Sequence, residues 1–221
     1  GLSEAKPVST PGETESRDDE EENSRILSAH EASRFRGLAA RANYLAADRT
    51  DIMYAVKEIC RHMATPTAGA LKKLRRLGRY LLGNARLITR YEWQGDEHEI
   101  TGYSDSDWAG CRVTGKSTSG GVVLVGSHFI RGWSRTQNHV TMSSAEAELI
   151  ALVKCTAECM GVQSMYRDWG SEMTCNLYAD SSAALAIAKR KGAGKLRHIN
   201  VSALWIQDIQ DREGASYMKV L

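Results

Sequence analysis

The hydrophobic period of the chain changes once, near Gly83, and this change divides the sequence into two parts. Upstream of Gly83, apolar residues recur every three to four positions, which is typical of helices that bury one face. Downstream, runs with a period of two alternate with helical segments, which predicts strands interleaved with helices. We therefore expect the α/β fold class, a mixed β-sheet flanked by helices and preceded by a small helical unit.

Three helices are predicted upstream of Gly83. The first begins near Ser28, which has capping-box spacing to Glu31. The second covers residues 50–63 and the third residues 68–82, with Pro66 between them. The third helix has leucines on one side, which we assign to the core. Its other side could follow the phosphates of a nucleic acid, because it carries Lys72, Lys73, Arg75, Arg76 and Arg79.

Downstream of Gly83 the pattern predicts strands first and a long helix after them. The predicted strands are 87–93, 97–103, 120–125 and 129–134, and Gly126-Ser127 is a two-residue hairpin signal between the last two. The long helix runs from Ser143 to about residue 169, with Glu146 at capping-box spacing from Ser143. The remaining elements are a strand at 174–179, helices at 181–190 and 201–211, and a strand that begins at residue 216.

Charge is distributed unevenly along the chain. Residues 1–24 hold eight acids and two bases, a net charge of −6. Because the whole chain has a net charge of +2, residues 25–221 have a net charge of +8. Because the first segment also contains two of the three prolines and has no hydrophobic period, we predict an acidic disordered leader over residues 1–27. A basic body is compatible with a polyanionic partner, although basic surfaces are more often simply solvated.

The five cysteines follow no zinc-finger spacing. Cys155 and Cys159 are one helical turn apart, where a disulfide is disfavoured. We expect all five to be reduced, small buried hydrophobes, which is typical of an intracellular protein. No apolar run is long enough to cross a membrane, so no membrane partner is expected.

Three acids fall where a metal site could form. Asp105 follows a strand in the motif YSDSDWAG, Glu148 lies one turn into the long helix in SSAEAEL, and Asp180 follows the later strand in YADSSAA. Carboxylates at strand ends and in the first turn of a helix can converge over one edge of a sheet. An oxygen cluster without soft ligands suits Mg²⁺ or Mn²⁺ better than zinc.

Each of these acids also has a purely structural interpretation. Asp180 could cap the helix that follows it, Asp105 and Asp107 could be turn residues, and Glu148 could be a solvated surface acid. Glu146 is better explained as the capping partner of Ser143 than as a ligand. The ordered set, on these element types, favours the metal site.

The order Asp, Glu, Asp on strand, helix, strand is similar to that of ribonucleases of the H type, and the surrounding motifs resemble copia-type retrotransposon Pol polyproteins. The resemblance covers roughly residues 35–221 and is carried by several motifs in the family's order, namely FRGLAARANYLAADRTDIMYAVKEICRHMATP, LRRLGRYLLG, YSDSDWAG, KSTSGGVV, WSRTQNHVTMSSAEAELIAL, YADSSAALAIA and RHINVSALWIQD.

The resemblance implies a ribonuclease H-like domain over residues 87–221, C-terminally truncated, behind a reverse-transcriptase thumb or connection remnant over residues 28–86. It implies that Asp105, Glu148 and Asp180 are catalytic residues that bind two Mg²⁺ or Mn²⁺ ions, with an RNA–DNA hybrid as substrate. The implied partner is the remainder of the Pol polyprotein, and the implied location, by analogy, is a cytoplasmic virus-like particle.

Two departures from the family's pattern leave an alternative open. Asn200 stands where the family often has an acid, and the fourth acid of an H-type site usually lies on a helix that would follow Leu221. The alternative is a catalytically inactive remnant that binds nucleic acid or scaffolds a polyprotein. A DNA-cutting integrase is disfavoured, because in that class the glutamate comes last rather than second.

Further residues are candidates for substrate contact. Arg131, Arg135, Gln137 and Asn138 could hold the hybrid backbone, or they could be solvated loop residues. Trp133 is predicted to lie in the core. His198 could shuttle a proton, although a histidine with a local hydrogen bond is the commoner case.

Overall fold

The computed structural model of the chain describes residues 4–13, 25–111, 113–192, 204–213 and 215–219. It divides into two compact units, Gly1–Arg90 and Tyr91–Leu221, which are treated separately below. The predicted α/β fold class is confirmed, since the second unit is a mixed α/β structure with a five-stranded mixed sheet flanked by helices.

The first unit is a small helical assembly with its own core. Its helices are α1 (Ala29–Leu45), α2 (Met53–Cys60), which follows a 3₁₀ turn at Thr50–Ile52, and α3 (Ala68–Gly83). The predicted capping box starts α1: Glu31 N donates to Ser28 Oγ, and Ser28 N donates to Glu31 Oε2. The largest fully buried side chains of this core are Phe35, Ile52, Val56, Ile59 and Leu77.

The basic side of α3 contacts residues near the chain start. Arg76 Nη1 lies 2.6 Å from Glu13 Oε2, and Arg76 Nη2 donates to Thr10 Oγ1. Arg79 Nε donates to the Lys6 carbonyl at 2.7 Å. Part of the basic face predicted to follow phosphates is therefore bonded to residues 6–13 of the same chain.

The second unit is a five-stranded sheet in the order β3-β2-β1-β4-β5. The strands are β1 (Glu99–Asp107), β2 (Thr118–Val125), β3 (His128–Thr136), β4 (Thr174–Ala179) and β5 (Ser216–Lys219). The helices are α4 (Ser144–Asp168), α5 (Ser182–Lys189) and α6 (Ile206–Glu213). Because β1 pairs antiparallel with β2 and parallel with β4, it forms the centre of the sheet.

The predicted strand at residues 87–93 is wrong, since this run has no regular secondary structure and joins no sheet. Its large apolar side chains point into solvent, and Ile88 and Trp93 are 84% and 98% exposed. A strand needs a partner edge and a buried face, and this segment has neither. Side-chain contacts hold its end instead: Tyr91 Oη donates to the Phe129 carbonyl, and Gln94 Nε2 donates to the Val125 carbonyl.

Close approach of α4 to the centre of the sheet depends on two thiols and a glycine. A Cβ on Gly102 would lie 2.6 Å from Cys159 Sγ and 2.8 Å from Cys155 Sγ, so only glycine fits at this point of β1. None of the five cysteines forms a disulfide, as predicted; four are buried and Cys60 is partly exposed. No helix in the described part of the chain is long and apolar enough to cross a membrane.

Replacing Gly121 by alanine is expected to destabilise the second unit by about 1–3 kcal/mol, since overpacking of a filled core has a cost of that size. Its new Cβ would lie 2.1 Å from Cζ2 of Trp133, a core residue. Gly120→Ala is the matched control, because the nearest atoms to its Cβ are 4.0 Å away. Chemical denaturation of both variants checks the prediction, and equal stability of the two would contradict it.

Candidate functional site

Three carboxylates converge at one edge of the sheet. Asp105 lies near the end of β1, Glu148 lies in the second turn of α4, and Asp180 directly follows β4. Because β1 and β4 are parallel neighbours with Ser104 opposite Ala179, the two aspartates follow paired positions. One carboxylate oxygen from each of the three residues lies within 4.8 Å of the others. The structure thus brings together the three acids that the sequence singled out.

Glu148 differs from the other two acids in its environment. It is only 7% exposed, whereas Asp105 and Asp180 are exposed. Ser106 N donates to Glu148 Oε1 at 3.1 Å, while Glu148 Oε2 is buried without a hydrogen-bond partner among the described residues. Burial, together with the negative charges of Asp180 and Asp105, raises the pKa of Glu148 to about 7. Glu148 is therefore not the solvated surface acid of the alternative interpretation.

The other structural interpretations are resolved by the hydrogen bonds around the site. Asp180 does not cap α5, since Ser181 Oγ accepts from Ala184 N and Ser181 is the N-cap. Asp107 is the last residue of β1, and its carbonyl accepts from Gly110 N in the turn that follows. Its Oδ1 accepts from Thr118 N of the paired strand β2.

Glu146 acts at the start of α4, as predicted, although its partner differs from the one expected. Its side chain accepts from Met142 N at 2.8 Å, one residue before the N-cap Ser143. Ser143 Oγ in turn accepts from Glu146 N at 3.3 Å, so the cap of α4 is made.

A hard divalent cation fits this donor set. Three carboxylates with no sulfur or imidazole among them are the ligands that Mg²⁺ and Mn²⁺ prefer. The unpartnered Glu148 Oε2 supports the same assignment, because a buried carboxylate oxygen without a donor is costly unless a cation or another polar group meets it.

The predicted substrate-contact residues fall into different environments. Arg135 and Asn138 are exposed, and Arg131 Nη1 is ion-paired with Glu158 Oε2 at 3.0 Å. Both interpretations of Gln137, a substrate contact and a solvated loop residue, are wrong, since Gln137 is buried and its side-chain amide donates to two groups of the fold. Trp133 is in the core, as predicted. His198 and Asn200 lie outside the described residues.

Sequence reasoning missed the backbone donor of Ser106, which holds one oxygen of Glu148. No residue-type signal could have found it, because every residue except proline has this N–H group. The signal for Gln137 was present but misleading, since a glutamine beside arginine and asparagine suggests an exposed polar loop.

No protein-family model matches the chain. It is 31% identical over 216 residues to the retrovirus-related Pol polyprotein from transposon RE1 of Arabidopsis thaliana, covering 96% of this chain and 14% of that protein. It is 26% identical to the Pol polyprotein from transposon TNT 1-94 of Nicotiana tabacum, covering 78% of this chain and 13% of that protein. The chain therefore spans about one seventh of the length of these relatives.

Among solved structures, the chain is similar to LC11-RNase H1, which was isolated from compost by a metagenomic approach. The alignment covers 56% of this chain and 84% of that protein, at 17% identity and a TM-score of 0.44.

Proposed function

The chain belongs to the retrovirus-related Pol polyproteins of copia-type transposons, and from that premise we propose that its second unit hydrolyses the RNA strand of RNA–DNA hybrids. The observation that carries the proposal is the convergence of Asp105, Glu148 and Asp180, with one oxygen of each within 4.8 Å of the others. These acids lie on β1, on α4 and directly after β4, three elements that are separate in sequence. A chance cluster of surface acids is therefore a poor explanation.

The division of labour among the acids follows from their burial. The Glu148 carboxylate is held by Ser106 N–H, which donates to its Oε1. Its Oε2 accepts no hydrogen bond from the described residues, so it would be the oxygen that binds a cation. Asp105 and Asp180 are exposed, so that a phosphodiester can reach them. Two bound Mg²⁺ or Mn²⁺ ions would supply an activated water and stabilise the leaving oxygen of the phosphodiester.

The proposed substrate is an RNA–DNA hybrid rather than an RNA duplex or a DNA duplex. The 2′-hydroxyl groups of the cut strand and the shape of the hybrid would distinguish it. Arg135 and Asn138, which are exposed at the end of β3 and in the loop after it, would hold the nucleic-acid backbone.

The same premise assigns roles to the rest of the chain. Residues 28–86 would be a remnant of the reverse-transcriptase thumb or connection, residues 1–27 an acidic disordered leader, and residues 87–221 the ribonuclease H-like domain. The partner would be the remainder of the Pol polyprotein, in a cytoplasmic virus-like particle.

Hydrolysis of a hybrid labelled differently on each strand tests the proposal. With Mg²⁺ or Mn²⁺, the full chain is expected to cut the RNA strand, to leave the DNA strand intact, and to leave a DNA duplex of the same sequence intact. Cutting of the DNA strand would replace the proposal by a deoxyribonuclease. Binding of the hybrid and of Mn²⁺ without cleavage would favour the catalytically inactive remnant.

A further inference from the structure

We infer that Gln137 is a positioning residue of the carboxylate site: its buried side-chain amide ties the first turns of α4 to β2 and so sets the place of Glu148. This inference rests on the proposed function, because it assigns Gln137 a role at the same metal site. It also gives a role to a residue for which both interpretations from the sequence were wrong.

The side chain of Gln137 forms hydrogen bonds to both β2 and α4 and so acts as a clamp between them. It directly follows β3, is 6% exposed, and its backbone N donates to the Ser117 carbonyl at 2.8 Å. Its side-chain Nε2 donates to Ser119 Oγ on β2 and to the Ala147 carbonyl on α4, each at 2.9 Å. An amide nitrogen carries two hydrogens, so both donors of Gln137 are used.

Both contacts lead to Glu148 by short routes. Ala147 directly precedes Glu148 in α4, so the hydrogen bond to the Ala147 carbonyl restrains the backbone that carries Glu148. Ser119 is the cross-strand partner of Ser106, whose N–H group holds Glu148 Oε1. Gln137, Ala147, Glu148, Ser106 and Ser119 therefore form a closed ring of contacts between β1, β2 and α4.

The chemistry of an amide suits this position. A lysine or arginine in its place would bring a positive charge against Ala147, the residue before Glu148, and would oppose the binding of a cation there. A neutral amide holds the helix without neutralising the acids. Positioning matters here because ligands displaced by about 1 Å lose much of their effect on a metal site.

The other end of α4 offers a matched comparison. Gln163 is 7% exposed, and its Nε2 donates to the Met173 carbonyl at 2.8 Å. This is the same kind of buried amide-to-carbonyl bond, but Gln163 lies 16 residues from Ala147 along α4, roughly 24 Å by the helical rise. Loss of either bond should have a similar effect on stability, whereas only the bond of Gln137 should affect the site.

The test compares Gln137→Met with Gln163→Met in the full chain. Gln137→Met is expected to weaken Mn²⁺ binding, followed by electron paramagnetic resonance of the free ion, and to lower kcat for the hybrid, each by about tenfold. KM should change little, because Gln137 does not touch the substrate. Gln163→Met is expected to lower the melting temperature by a smaller amount, because it loses one hydrogen bond rather than two, and to leave Mn²⁺ affinity and kcat unchanged.

Ser119→Ala breaks only the half of the clamp that reaches β2, and it serves if Gln137→Met does not fold. Its Mn²⁺ affinity is expected to fall by about threefold, since the bond to the Ala147 carbonyl remains. Unchanged Mn²⁺ affinity and kcat in these variants, while Asp105→Asn loses both, would overturn the role of Gln137 alone. Mn²⁺ binding that survives in both Asp105→Asn and Glu148→Gln would instead overturn the metal site itself.

Discussion

Replacing Asp105 by asparagine is expected to lower the rate of RNA-strand hydrolysis by about 10³-fold or more, since removal of one member of a catalytic set commonly has an effect of that size. Asparagine keeps the shape of the side chain but has no negative charge with which to bind a cation. Asp105 is exposed, so the substitution leaves the packing of the sheet intact. Single-turnover cleavage of the labelled hybrid, together with the melting temperature of the variant, measures both parts of this expectation.

Asp168→Asn is the control for this change of charge. Asp168 is the last residue of α4, is exposed, and lies roughly 30 Å from Glu148 by the helical rise. Its replacement should leave hydrolysis within about twofold of the unmodified chain, because surface charges at this distance are screened. Retention of activity in Asp105→Asn would remove Asp105 from the catalytic set, whatever the control does.

Several elements of the fold were predictable from local patterns. Ser28 with Glu31, and Ser143 near Glu146, mark the starts of α1 and α4 because an N-cap needs only a side chain and an N–H group a few residues apart. The turn at Gly126 lies between two runs with a period of two, and the structure has a hairpin of β2 and β3 there. Such signals depend on neighbours in sequence, so they survive without knowledge of the tertiary structure.

The predictions that were wrong depend on contacts between residues that are apart in sequence. Residues 87–93 have the period and the aromatic content of a strand, but a strand also needs a partner edge, which lies elsewhere in the chain. Gln137 is polar and near a loop, yet it is buried because Ser119 and Ala147, distant in sequence, accept its two hydrogens. Contacts of this kind depend on the packing of α4 against the sheet, which no local pattern reports.

At the site, the sequence predicted which acids come together but not how they differ. The order of motifs assigns Asp105, Glu148 and Asp180 to strand, helix and strand. Only the structure distinguishes a buried Glu148 held by Ser106 N–H from two exposed aspartates. That difference sets the charge state of the site near neutral pH.

Glu148 is expected to make cation binding depend on pH between 6 and 8. Its pKa is raised to about 7, first by burial and then by the negative charges of Asp180 and Asp105, while the bond from Ser106 N–H acts in the opposite direction. A cation binds the ionised carboxylate, so binding competes with protonation. With a pKa near 7, the ionised fraction at pH 6 is about one tenth of that at pH 8, and Mg²⁺ affinity should fall by about tenfold.

The same shift has the reverse effect on the stability of the metal-free chain. The ordinary pKa of glutamate is 4.5, so between pH 4.5 and about 7 the folded chain binds more protons at Glu148 than the unfolded chain does. The contribution of Glu148 to the free energy of unfolding therefore decreases as the pH rises through this window and is level above it. Glu148→Gln, which cannot ionise, should be more stable than the unmodified chain at pH 8 by about 2 kcal/mol, less than the full shift implies because water screens the exposed aspartates.

Denaturation of the two chains at pH 5 and pH 8, each with and without Mg²⁺, separates these effects. Without the cation, Glu148→Gln should gain stability relative to the unmodified chain between pH 5 and pH 8. With Mg²⁺ at pH 8, the difference in the free energy of unfolding between the two chains should become smaller or change sign, because the cation stabilises only the chain that binds it. A metal-free difference that does not change with pH would mean that Glu148 is ionised with an ordinary pKa. In that case any loss of Mg²⁺ affinity at pH 6 would have to come from another group.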